Sequence, residues 1–247
     1  MDPPRILVTL THPASARDPA VQEVKNARYL DALRRHGAEP LAVDARTPAA
    51  DRAAAFAAAQ GLLITGGADV DPAAYGEAPH GSGPTDPGRD ALDRAAFDAA
   101  TDRGMPVLGI CRGLQAINVF SGGAVVQHLE HHESPPYPSH AAEATRHPLH
   151  LVPGTRLAAL LNVRSLAVNS FHHQAVDTRR LAAGLRAAGL TPYNGGELVE
   201  ALESEQPDRW LFAVQCHPER SETSPPELEG LWSAFVDAAR TTVGADG

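Results

Sequence analysis

The stretch Val107-Leu-Gly-Ile-Cys-Arg-Gly-Leu-Gln-Ala-Ile-Asn118 decides how this chain reads. An apolar run, Pro106–Ile110, gives way within one residue to a helical pattern, Arg112–Phe120, closed by Gly122-Gly123. One of only two cysteines, Cys111, sits at the junction, framed by Gly109 and Gly113. A strand–Gly-x-Cys-x-Gly–helix unit has the logic of a nucleophile elbow: the reactive side chain stands on a sharp turn, and its flanking neighbours must be small. A thiol at a helix N-terminus also gains from the helix dipole, which favours thiolate. Taken alone, the pentapeptide fits a buried cysteine at a tight β–α turn equally well.

Outward from this unit, the first half alternates short apolar runs with helical periodicity. Arg5–Leu10, Pro40–Val43 and Gly61–Thr65 read as strands, and Pro19–His36, Ala49–Gln60 and Arg89–Arg103 as helices. Strands separated by helices of this size imply a parallel, doubly wound sheet whose ligands bind beyond the strands' carboxyl ends. Gly66-Gly67 and Cys111 both stand at such ends. Ala68 to about Gly88 is a long irregular segment rich in Gly, Pro and Asp, a kind that is usually functional or disordered.

The second half changes character. His131–His147 reads as a loop, and short β-like runs follow at Leu149–Val152, Ser165–Asn169, Leu185–Leu190, Leu198–Glu203 and Trp210–Gln215. They predict an antiparallel region grafted onto the sheet. Pro225–Arg240 predicts a final amphipathic helix. With no internal repeat, coiled coil or low-complexity tract, residues 1–247 read as a single domain.

Composition narrows the function classes. The 247 residues are 43% hydrophobic, enough for a core that needs no disulfide or metal staple. Two cysteines give no disulfide framework and fit a reducing cytoplasm. The apolar run near the N-terminus is too short for a signal peptide or a membrane span. A net charge of −9 without a run of Lys or Arg argues against nucleic acid as a partner. Among the crowded histidines His128, His131, His132, His140, His147 and His150, no pair has a Cys or carboxylate partner at zinc-motif spacing, so no metal is expected. Gly66-Gly67 opens no dinucleotide or P-loop pattern, so no nucleotide is expected either.

A thiol nucleophile needs a base, and the base an orienter. In Trp210-Leu-Phe-Ala-Val-Gln-Cys-His-Pro-Glu-Arg220, His217 and Glu219 follow an apolar strand at spacing two. On an extended backbone, which Pro218 favours, both side chains would share one face. The carboxylate could then fix the imidazole tautomer.

Together with Ile64-Thr-Gly-Gly-Ala-Asp-Val-Asp-Pro-Ala-Ala-Tyr-Gly76, Arg89-Asp90 and Val168-Asn-Ser-Phe-His-His-Gln-Ala-Val176, these stretches give a pattern that covers most of the chain. It resembles the class I glutamine amidotransferase-like superfamily and, within it, the γ-glutamyl-γ-aminobutyrate hydrolase (peptidase C26-type) family. The fold expected is α/β: a flavodoxin-like, doubly wound, mostly parallel sheet with helices on both faces and a small added antiparallel region in the second half. The resemblance implies Cys111 as nucleophile, His217 as general base and acid, Glu219 as orienter, and the backbone N–H groups of Gly67 and Arg112 as oxyanion hole. It further implies that Gln115 holds a glutamyl head group and that Asn169, Ser170 and Phe171 approach it from the other side. Of His172 and His173, adjacent on an extended segment, one is expected to line the pocket while the other packs. Cys216 stands where the family usually has an aromatic residue and is expected to pack. Asp93 and Ala124 also depart from the family pattern, away from the predicted triad.

The activity implied is hydrolysis of a γ-glutamyl amide through a thioester, with a small γ-glutamyl substrate, no cofactor and no membrane. A glutaminase subunit feeding ammonia to a synthase, and a non-catalytic γ-glutamyl binder, are the alternatives. A homodimer is the expected assembly if the chain oligomerises.

Overall fold

Ile6 and Val8 of the first strand pack on one face of a sheet and Leu7 on the other, and all three are buried. A strand covered on both sides is the signature of a parallel sheet sandwiched between helices. A computed structural model describes residues 2–130 and 145–241. In chain order its first half runs β1 (Arg5–Thr9), α1 (Pro19–Arg35), β2 (Glu39–Val43), α2 (Ala49–Ala58), β3 (Gly61–Ile64), α3 (Pro87–Asp102), β4 (Val107–Ile110) and α4 (Arg112–Phe120). The second half runs β5 (Thr145–Leu151), α5 (Arg156–Leu161), β6 (Ser165–Ser170), β7 (Val176–Asp177), β8 (Leu185–Tyr193), β9 (Gly196–Ser204), β10 (Leu211–Val214) and α6 (Glu229–Thr241).

The strands form one sheet in the order β2-β1-β3-β4-β10-β9-β8-β5-β6. Pairs from β2 through β4 to β10 are parallel; from β10 outward they are antiparallel, and β7 pairs with β9. The grafted region is therefore a continuation of the same sheet. Tyr29 and Leu33 of α1 and Trp232 and Phe235 of α6 cover one face. Phe97 of α3 and Leu114 and Ile117 of α4 cover the other. Asp18 and Asp86 cap α1 and α3 by accepting the N–H groups of Val21 and Arg89, each with proline at the first helical position.

Two expectations change. Residues 145–147 belong to β5 and not to a loop, whereas the rest of the segment 131–144 lies outside the described residues. The short helix α5, capped by Thr155, was not foreseen, because six residues are too few to show a period. No described helix is long and apolar enough to cross a membrane.

Candidate active site

Cys111 stands at the carboxyl end of β4 with φ 55° and ψ −108°, one of three described non-glycine residues with positive φ. The glycines explain why the turn can be so tight. A Cβ on Gly113 would lie 2.1 Å from the Ile64 carbonyl oxygen, and one on Gly109 would lie 2.6 Å from Ile117 Cδ1. With no side chains there, α4 packs directly on β3 and β4. The Cys111 N–H bonds the Val214 carbonyl at 2.8 Å, which fixes the elbow to the strand that leads to His217.

His217 and Glu219 meet, though not along an extended strand. β10 ends at Val214, and the Arg220 N–H donates to the His217 carbonyl at 3.2 Å, closing a turn over Pro218-Glu219. Within that turn His217 Nδ1 lies 2.7 Å from Glu219 Oε1. Nδ1 is thereby occupied, leaving Nε2 for the Cys111 sulfur. Burial opposes charge on the imidazole. The Glu219 carboxylate and the Cys111 sulfur outweigh it and raise His217 to about 9. Asn169 clamps the base from behind: its Oδ1 accepts the His217 N–H at 2.8 Å and its Nδ2 donates to the His217 carbonyl at 3.0 Å.

These groups open on a cavity of about 420 Å³. Gly66 and Gly67 form one wall, and a Cβ on Gly66 would approach His217 Cε1 to 3.2 Å. The lining is also cationic: Arg17, Lys25, Arg28 and Arg220 all border the cavity. Arg28 is paired with Glu222 at 2.8 Å, and the Arg220 guanidinium sits 3.9 Å from the centre of the Phe171 ring. Burial and the nearby Arg220 lower the Lys25 pKa. Asp69 also lines the cavity, as an acid besides Glu219; it pairs with His173 at 3.1 Å and accepts the Gly83 N–H at 2.7 Å. Its hydrogen bond raises His173.

Beneath the floor lies a buried charge cluster. Asp93 bonds Arg89 Nε at 2.9 Å and also pairs with Arg112, whose guanidinium reaches Asp90 as well. Arg89 continues to Thr11 Oγ1 and the Thr65 carbonyl. Although burial favours the neutral acid, Arg89 and Arg112 hold Asp93 below the usual carboxylate range. The cluster anchors the first residue of α4, whose backbone N–H has no intrahelical acceptor, beside Gly67.

Of the residues singled out in the sequence, Cys111, His217, Glu219, Gly67, Phe171 and His173 share the cavity wall. Gln115, Asn169, Ser170 and His172 do not line it. Gln115 is turned inward, donating to the Gln174 carbonyl at 3.0 Å and Gln215 Oε1 at 3.1 Å. Ser170 is fully buried at the end of β6, and His172 packs beside Glu200. Cys216 is buried in the core. Sequence reasoning missed Tyr29, whose hydroxyl accepts the Gly66 N–H at 3.2 Å and lies 3.4 Å from His217 Nδ1. It also missed Gln215, whose Nε2 donates to Cys111 Sγ at 3.4 Å, and it left Asp69 as a turn residue.

A model of the peptidase C26 family matches residues 8–219. A Mycobacterium tuberculosis protein provisionally named a glutamine amidotransferase is 44% identical over 187 residues, 72% of this chain; the chain spans only 55% of that relative's length. The γ-glutamyl-γ-aminobutyrate hydrolase PuuD of Escherichia coli is 32% identical over 190 residues, 73% of this chain and 72% of that protein. Among solved structures, the glutaminase domain of Trypanosoma brucei CTPS with bound acivicin superposes with a TM-score of 0.63 at 18% identity, covering 96% of this chain and 94% of that one. That likeness is one of fold.

Proposed function

The chain belongs to the peptidase C26 family of glutamine amidotransferase-like hydrolases, and from that premise we propose that it cleaves the γ-glutamyl amide bond of small γ-glutamyl amines such as γ-glutamyl-γ-aminobutyrate. The observation that carries the reading is the meeting of Cys111, His217 and Glu219 at one cavity with a cationic lining. In this reaction the Cys111 thiolate attacks the δ-carbonyl carbon, forming a C–S bond, and the oxyanion is held by the N–H groups of Gly67 and Arg112. The C–N bond breaks as the His217 imidazolium gives its proton to the departing amine. His217, now neutral, takes a proton from water as the water attacks the thioester. Glutamate leaves and the thiolate–imidazolium pair is restored.

Charge complementarity supports the substrate class. The cationic residues suit the carboxylates of a γ-glutamyl amine, and Asp69 offers a counter-charge to the α-ammonium group.

Glutamate release by wild-type and Cys111→Ala protein, offered γ-glutamyl-γ-aminobutyrate and glutamine side by side, tests the reading. Cys111-dependent release from the γ-glutamyl amine with little from glutamine supports it. Release from glutamine alone moves the assignment to a glutaminase that supplies ammonia to a synthase, and equal release by the Cys111→Ala protein removes the nucleophile.

A further inference from the structure

Behind the strand that leads to His217, the antiparallel half of the sheet gathers three side chains that the proposed reaction does not use. His147 comes from β5, His172 from the segment after β6, and Glu200 from β9. His147 Nε2 stands 3.7 Å from Glu200 Oε2, and His172 Nε2 stands 4.0 Å from Glu200 Oε1. One donor atom from each residue lies within 4.8 Å of the other two. None of the three lines the active-site cavity.

Two further features make this more than proximity. In each histidine Nδ1 faces a backbone carbonyl, that of Gln174 at 2.9 Å for His172 and that of Pro148 at 3.2 Å for His147. A carbonyl only accepts, so Nδ1 carries the hydrogen, and in the neutral ring the Nε2 lone pair is turned toward Glu200. Metal-bound imidazoles are oriented in the same way, by an N–H bond from the nitrogen that does not ligate. The carboxylate supplies the second feature. Glu200 is 0% exposed, yet neither of its oxygens accepts a hydrogen bond. Its separations from the two Nε2 atoms exceed hydrogen-bonding reach, so a shared proton does not join them.

The donor set is two imidazoles and one carboxylate. Tetrahedral Zn²⁺ with ligands at about 2.0–2.1 Å needs donor atoms roughly 3.4 Å apart, so donors that now lie within 4.8 Å of one another must close in around the ion. We propose that His147 Nε2, His172 Nε2 and the Glu200 carboxylate bind one Zn²⁺ ion, with water in the fourth position. The ion ties β5 and the segment after β6 to β9. β6 carries Asn169, the clamp on His217, and the Glu200 carbonyl accepts the Gln215 N–H at 2.8 Å, two residues before His217. The site therefore braces the wall of the cavity and takes no part in a reaction step. Its sequence signature is weak because the three ligands come from β5, the segment after β6 and β9, far apart in the chain.

Metal-stripped full-length protein, equilibrated with Zn²⁺ or Co²⁺ and freed of excess by gel filtration, tests the site through its metal content. The wild type is expected to retain about one ion per chain, with Co²⁺ giving the visible absorption of a four-coordinate nitrogen–oxygen site. Cys111→Ser, which removes the competing thiol at the active site, should retain as much. Glu200→Gln and His172→Asn, confirmed as folded by circular dichroism, should lower affinity at least about tenfold. Folded wild-type protein that retains neither ion overturns the proposal. So does binding that is lost with Cys111→Ser, or that survives unchanged in Glu200→Gln.

Discussion

At Cys111 the backbone holds a conformation that costs a non-glycine residue about 1–3 kcal/mol, and the cost falls on the residue that carries the thiol. Glycine adopts it freely but loses more chain entropy on folding. Cys111→Gly should therefore be more stable than Cys111→Ala by about 1 kcal/mol in chemical denaturation, with both inactive. Equal stabilities would mean that the turn is unstrained. His217, raised to about 9, is protonated at neutral pH and can serve the departing amine. The rate of thioester formation should accordingly fall along an alkaline limb near pH 9. In Glu219→Gln the limb should move to lower pH and kcat should drop about 10²–10⁴-fold, as read from pH–rate profiles of the two proteins. An unmoved limb would separate Glu219 from the base. This pair was legible in the sequence as His-x-Glu, but the geometry was not: spacing two suggested an extended strand, whereas a turn brings the groups together. Gln115, Asn169 and His172 mark the limit of such reading. Spacing shows that a residue is near the site, and only packing shows which way its side chain faces.

The unit of β4, the turn and α4 owes its geometry to what its glycines lack. Gly113→Ala would place a methyl group against the Ile64 carbonyl, backbone that has no rotamer to yield, so a loss of about 3 kcal/mol or more is expected by denaturant unfolding. A loss below about 1 kcal/mol would mean that α4 can slide on β3. The parallel half of the sheet was readable at this scale because each strand is an apolar run and each helix spans several turns. The antiparallel half was less so. Its strands are partly exposed, and β7 and α5 fall below the length at which a period shows. Tyr29 escaped notice for a related reason. It lies on the buried face of α1, where an aromatic residue reads as core, although its hydroxyl reaches His217.

Across the whole molecule, the cluster of Arg89, Asp93, Arg112 and Asp90 joins α3 to α4 beneath the cavity. Asp93→Asn would leave the buried Arg89 guanidinium without its carboxylate and Arg112 with Asp90 alone, and a stability loss of about 3–5 kcal/mol is expected. The sign of the pH effect follows from the depressed Asp93 pKa. Its stabilisation is complete above the unfolded carboxylate value and is lost as pH falls through the lower folded value. His217 acts at the other end of the scale: its contribution is complete below about 6.5 and is lost as pH rises through about 9. Thermal unfolding across pH, compared between wild type and Asp93→Asn, checks the acid half; an unchanged acid limb in the variant would remove Asp93 from the account. The sequence marked Arg89-Asp90 only as a stretch of the family pattern and gave no sign that Asp93 and Arg112 complete the cluster, since the contact depends on how α3 meets α4.

The most direct test of the central claim is intact-mass analysis of protein mixed with γ-glutamyl-γ-aminobutyrate and quenched in acid within a single turnover. The account predicts a γ-glutamyl adduct on the wild type, mapped by peptide digestion to Cys111, and none on Cys111→Ala. An adduct at another residue, or glutamate released by the wild type with no adduct at any quench time while a Cys111→Ala control turns over equally well, would contradict it.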